Sequence, residues 1–196
     1  SRVILPTDNE VKTVIETDIG LLSMEEYFVK ERCKPDVVAV RYSNSEQATA
    51  TDDAIQAIHQ ADILIFAPSN PIASIGPILA VREIRSAIET SLAYRVAMSP
   101  LVGGKAIKGP ASEMMTACGY ESNVMGVAAY YYGLLDAIVI DQQDRQYETV
   151  LQDSGIDVFV QETMMYDQAS RIAVAQSMCS AIEAQMVSKE EVGEIA

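Results

Sequence analysis

Ser69 and Asn70 stand between two prolines in the stretch FAPSNPIASIGPILA, residues 66 to 80. Pro68 and Pro71 restrict the backbone on either side, so the hydroxyl and the carboxamide are presented with little conformational entropy left to lose. Ser74 then reads as the N-cap of a helix with Pro77 in its first turn, and the free N–H groups of Ile75 and Gly76 offer a place for an anion. A glycine at 76 lets a ligand come close to the backbone. The same stretch also reads as a rigid turn with a serine cap, and composition alone does not separate the two.

A second stretch, SPLVGGKAIKGPA from Ser99 to Ala111, sets Gly103 and Gly104 before Lys105, and Lys108 and Gly109 before a helix start at Pro110. The chain carries 14 Lys and Arg against 28 Asp and Glu, so two lysines within one glycine-rich loop point to a phosphate partner. The loop lacks the G-x-x-x-x-G-K-[ST] spacing and no G-x-G-x-x-G occurs, which argues against an ATPase P-loop and an ordinary NAD site. His59 is the only histidine and falls inside a predicted helix, which leaves no Ser-His-Asp triad and no histidine-based metal site. Asp141 and Asp144, in DQQD, follow a strand and suit helix capping or a magnesium contact. No metal-ligand set stands out in this chain, and no catalytic residue is identified.

The elements that must position these loops are short apolar runs alternating with helical patterns. DVVAVRY (36–42), DILIFA (62–67), RVAMSP (95–100), DAIVID (136–141) and DVFVQE (157–162) have the length and near-continuous hydrophobicity of strands covered on both faces. Helices are expected in TDDAIQAIHQ, SIGPILAVREIRSAIE, PASEMMTACG, VMGVAAYYYGLL and QASRIAVAQSMCSAIEAQM. The expected fold is α/β, a Rossmann-like, doubly wound, mostly parallel sheet in three layers. A small extra segment precedes it, TVIETDIGLLSMEEYFVKERCKP, with a short strand and a helix. The reading is one α/β domain over residues 1–190 and a loose tail over 191–196.

A net charge of −14 argues against a broad nucleic-acid surface. The longest near-apolar stretch, Val124 to Leu135, falls far short of the roughly 20 residues a membrane helix needs. Cys33, Cys118 and Cys179 are too scattered for a redox motif and read as buried reduced thiols, which suits a cytoplasmic protein. Tyr130 to Tyr132 are read as core and interface packing, and the surrounding AAYYYGLL as the candidate face of a homodimer.

Taken together, APSNPIASIGPIL, SPLVGGKAIKGPA, CGYESNVMGVAAYY with LLDAIVID, and the late ETMM are similar in order and spacing to the 2-phospho-L-lactate transferase family of coenzyme F420 biosynthesis. The similarity runs from about residue 62 to 166, and ILPTDNEVKTVIET resembles the family's middle portion. It implies an enzyme that joins a phospholactyl or phosphoenolpyruvyl group, carried on a guanosine diphosphate bridge, to the deazaflavin Fo with release of GMP, assisted by Mg2+. Ser69 and Asn70 would hold the donor nucleotide, Ser74 and Gly76 would meet its phosphates, and Gly103, Lys105, Lys108 and Gly109 would close the other side. The family's glycine-rich turn and its acidic residues for magnesium and Fo belong to a segment ahead of the part matched here, so the expectation is an incomplete form. A related branch of the broader superfamily, which binds nucleotide sugars and regulates without transferring, is the alternative.

Overall fold

The computed structural model describes residues 2–107 and 109–192. The chain opens with an antiparallel sheet of β1 (Lys12–Thr17), β2 (Gly20–Ser23) and β3 (Val37–Ser43), in the order β2-β1-β3. A wide helical turn, Glu26–Lys30, lies between β2 and β3. β3 had the look of a doubly covered parallel strand. It pairs antiparallel with β1 instead, and Val38, Arg41 and Ser43 face solvent. An antiparallel sheet can leave one face wet, and a short apolar run does not disclose which arrangement it serves.

After α1 (Asp52–Gln60), capped by the Thr51 side chain, the chain enters the main sheet at β4 (Ile63–Phe66). A wide turn, Pro71–Ile75, runs into α2 (Gly76–Leu79), and α3 (Arg82–Thr90) returns to β5 (Tyr94–Met98). The hairpin β6 (Leu101–Val102) and β7 (Lys105–Ala106) precedes α4 (Ala111–Ala117) and α5 (Val124–Tyr130). Then follow β8 (Ala137–Asp141), a tight turn Gln142–Tyr147, α6 (Glu148–Asp153), β9 (Asp157–Gln161) and α7 (Gln168–Val192).

The four strands pair in parallel in the order β4-β5-β8-β9, with Ile63 opposite Tyr94, Val96 opposite Ala137, and Ala137 opposite Asp157. Alternate residues go to opposite faces. Tyr94, Val96 and Met98 of β5 and Ala137 and Val139 of β8 pack on Val174, Met178 and Ile182, which recur every four residues along α7. Phe66, Ala97, Ile138 and Ile140 face the core shared with α2 to α6. The sheet is therefore covered on both sides, the α/β three-layer arrangement expected from sequence. Two of the three cysteines are half-buried and Cys179 is exposed on α7, so the expectation of three buried thiols does not hold.

The turn after β4 is where sequence and structure differ most. Its cap is Asn70 and not Ser74: the Asn70 Oδ1 accepts from the N–H groups of Ile72 and Ala73, with Pro71 at the first helical position. Proline fits there because it has no N–H to satisfy, and Asn is a strong cap. The turn is wide, with Ile75 N–H donating to the Asn70 carbonyl and Gly76 N–H to that of Pro71. In this register the carbonyl of Ile72 faces Pro77, which has no hydrogen to give. The hydroxyl of Tyr42 on β3 supplies it, donating to the Ile72 oxygen. Tyr42 gets that close because residue 76 has no side chain: a Cβ there would lie 1.9 Å from the Tyr42 hydroxyl oxygen and 2.9 Å from that of Tyr130.

Replacing Gly76 by alanine should thus destabilise the protein by about 1–3 kcal/mol through overpacking. Tyr42→Phe should cost about 1–3 kcal/mol by leaving the Ile72 carbonyl without a donor. In chemical denaturation the double variant should lose less than the sum, since both changes break the same contact. Strict additivity would show that Gly76 and Tyr42 act separately.

Candidate functional site

All four parallel strands end at the same sheet edge, and their following loops converge there. Between them lies a cleft of about 470 Å³ whose lining includes Ser69, Asn70, Ser74, Gly109, Thr163 and Arg171. A second cavity of about 390 Å³, between β4 and the helices α1 to α3, is lined by apolar side chains such as Ile58, Leu64, Phe66 and Ile84. It brings no set of convergent polar groups, whereas the cleft at the sheet edge does.

The first loop reaches the cleft as expected, but by another route. The N–H groups of Ile72 and Ala73 are taken by the Asn70 side chain, and those of Ser74 and Ile75 by the Asn70 carbonyl. With Gly76 N–H bonded to Pro71 as well, this helix start has no free cluster of donors for an anion. Gly76 is buried against Tyr42 and Tyr130 and is not in the cleft lining. The donors left for a ligand are side chains: the hydroxyls of Ser69 and Ser74, and the Asn70 Nδ2, whose neighbour is the weak acceptor Met114 Sδ at 3.3 Å.

In the second loop Ile107 and Gly109 line the cleft. Gly103 (φ +58°) and Gly104 (φ +73°) instead form the two-residue tip of the β6–β7 hairpin, where both central residues need positive φ. Gly103 N–H donates to the Asp144 Oδ2 at 2.9 Å, a carboxylate position at odds with a phosphate. Lys105 is exposed on β7, outside the lining, and Lys108 lies outside the described residues. Gly103 and Lys105 are therefore not brought to the cleft with the first loop: a tight hairpin turns them away after β5.

Among the described residues, the cation in the lining comes from elsewhere. Arg171 on α7 is the single charged side chain in the lining among the described residues, and it has no salt bridge among them. The sequence carried a signal for it. Arg171 sits in the first turn of a 25-residue helix, where the macrodipole disfavours a positive charge.

Behind the cleft, Asp141 at the end of β8 takes hydrogen bonds from Gln143 N–H (3.0 Å) and from the Thr163 N–H (3.0 Å) and hydroxyl (2.9 Å). Burial pushes its carboxyl up, but these bonds win and hold it below the ordinary range. Thr163, which lines the cleft, is fixed by this contact. Asp144 is fully buried and its Oδ1 has no partner among the described residues. Burial raises its carboxyl against the Gly103 hydrogen bond, and the Asp141 charge adds to the rise. Among the described residues no group of three or more His, Cys, Asp or Glu is placed to hold a metal, and no carboxylate lines the cleft, so the side chains present do not fit the expected magnesium.

The profile of the 2-phospho-L-lactate transferase CofD family matches residues 1–187. A 2-phospho-L-lactate transferase from Methanopyrus kandleri is 35% identical over 180 residues, covering 90% of this chain and 56% of the relative. The enzyme of the same name from Methanocaldococcus jannaschii is 32% identical, covering 91% of this chain and 57% of that one. The chain thus spans little more than half the length of these relatives. Protein BH3568 of Bacillus halodurans, a member of the UPF0052 family, has a solved structure that superposes with a TM-score of 0.60 at 14% identity, covering 88% of this chain and 60% of that one. That likeness concerns the fold.

Asp141→Asn removes the charge behind the Thr163 and Gln143 contacts and should cost about 1–3 kcal/mol at pH 7. A carboxyl held low in the folded state stabilises above its unfolded value and loses that stabilisation as pH falls through the folded one. The gap between wild type and Asp141→Asn in urea denaturation should therefore be full at neutral pH and narrow once the pH drops below 3.8. A gap that widens in acid would contradict the assignment.

Proposed function

Because this chain belongs to the 2-phospho-L-lactate transferase CofD family, we propose that its cleft holds the guanylylated donor of a phospholactyl-type transfer to the deazaflavin Fo. The observation that carries this reading is the meeting of Ser69, Asn70 and Ser74 with the Arg171 guanidinium, which makes no salt bridge among the described residues, at the carboxyl edge of the parallel sheet. A diphosphate needs several donors and a positive charge within a few ångströms, and Arg suits it because its fork makes paired hydrogen bonds to phosphate oxygens.

In the reaction the terminal ribityl hydroxyl of Fo forms a new oxygen–phosphorus bond at the donor phosphorus distal to guanosine. The bond from that phosphorus to the bridging oxygen breaks, the oxygen leaves on GMP, and the hydroxyl proton passes to solvent or a base. Such transfers ask little covalent chemistry of the protein. Asn70 Nδ2 and the two serine hydroxyls would orient the diphosphate, and Arg171 would offset charge as the bridge breaks. Magnesium is part of the proposal, but no residue of this chain is assigned to it.

Calorimetric titration with GDP and magnesium tests the reading. Asn70→Asp keeps an acceptor for Ile72 and Ala73, so the helix start and the melting point should hold. It replaces the Nδ2 donor by a negative oxygen and should abolish binding. Arg171→Ala should weaken GDP by about tenfold or more. Unchanged affinity in both variants, or no binding by the folded wild-type chain, would overturn the donor assignment. Tighter binding of a uridine diphosphate sugar than of GDP would move the chain to the nucleotide-sugar regulatory reading.

A further inference from the structure

The lining of the cleft combines two chemically different kinds of group. Beside the polar groups the lining includes Phe28, Ile107 and Met165. Ile107 and Met165 keep 43% and 38% of their surface exposed, more than a packed core would leave to side chains of that size. Phe28 comes from outside the parallel sheet, on the wide turn Glu26–Lys30 of the antiparallel segment. That turn is closed by Arg32 (φ +54°) and Cys33 (φ +56°), two consecutive left-handed residues without the freedom of glycine. Phe28 packs edge-on, at 81° and 5.5 Å between centroids, against the buried Tyr27. Gly109 (φ +71°) is its neighbour in the lining: a Cβ there would lie at an ordinary contact distance, 3.9 Å, from Phe28 Cε1.

A half-buried aromatic ring in one lining with two partly exposed apolar side chains and a guanidinium suits a ligand with an anionic end and a flat apolar end. We propose that Phe28 is the stacking face for a planar heteroaromatic ring, the guanine of the donor or the deazaflavin of the acceptor. This rests on the donor reading above and adds a positioning residue to it. The antiparallel segment then has a role at the site: its wide turn brings one ring to the edge of a sheet it does not belong to.

The test compares GDP, Fo and inorganic diphosphate by calorimetry on the wild-type chain, Phe28→Leu and Phe28→Tyr. Leucine fills a similar apolar space without a ring face, and tyrosine restores the ring. The expected result is that Phe28→Leu weakens a ring-bearing ligand by roughly tenfold, as loss of one base–aromatic stack does. Diphosphate should be unaffected, and Phe28→Tyr should bind like wild type. Weakening of GDP assigns the guanine to Phe28, and weakening of Fo assigns the deazaflavin. Equal loss for diphosphate, or a Phe28→Leu chain that melts normally and binds GDP and Fo as wild type does, overturns the inference while Arg171→Ala still reports on the donor site. A folded wild-type chain that binds none of the three removes the donor reading and this inference with it.

Discussion

The hydrogen bond from the Tyr42 hydroxyl to the Ile72 carbonyl ties the antiparallel segment to the turn after β4, beside the Ala50 N–H bond to Glu83 and the packing of β3 on α4. It exists because three local facts coincide. Asn70 starts a wide turn, Pro77 has no N–H to offer the Ile72 oxygen, and Gly76 leaves room for a phenol. A buried carbonyl with no donor is costly, so the turn after β4 needs an outside partner, and β3 provides it. Burial pushes the Tyr42 hydroxyl far above its ordinary range, which keeps it protonated and able to donate. The antiparallel segment is thereby held against the loop that carries Ser69 and Asn70, and Phe28 is held near the cleft.

The electrostatics of the cleft differ from those of the chain. A net charge of −14 repels a diphosphate at long range, but screening limits that field to about 8 Å at physiological ionic strength. Inside the cleft the local set decides, and among the described residues the lining holds one guanidinium and no carboxylate, although the charge of Arg171 is felt by Asp167 one turn earlier. The acidic groups nearby are engaged behind it. Asp141 is tied to Thr163 and Gln143, and Asp144 holds the Gly103 hairpin.

The sequence by itself determined the strands β4, β5, β8 and β9, because near-continuous apolar runs between helical patterns have few other uses, and it determined that the loops after β4 and β5 carry unusual chemistry. Proline-flanked Ser69 and Asn70 and the glycine-lysine loop could be singled out from residue types alone, since proline and glycine act on their own backbone. The tertiary structure decided the rest. Whether DVVAVRY pairs in parallel depends on its neighbours in space. The cap fell to Asn70 because the register of a wide turn is set by which donors are left unmet. Gly76 serves Tyr42 and Tyr130 instead of a ligand, Gly103 and Lys105 turn away on a hairpin, and Arg171 and Phe28 come to the cleft from elements about 140 residues apart in the chain. Periodicity and turn chemistry are local properties, whereas a site is a convergence, and convergence is fixed only when strand order brings distant loops to one edge.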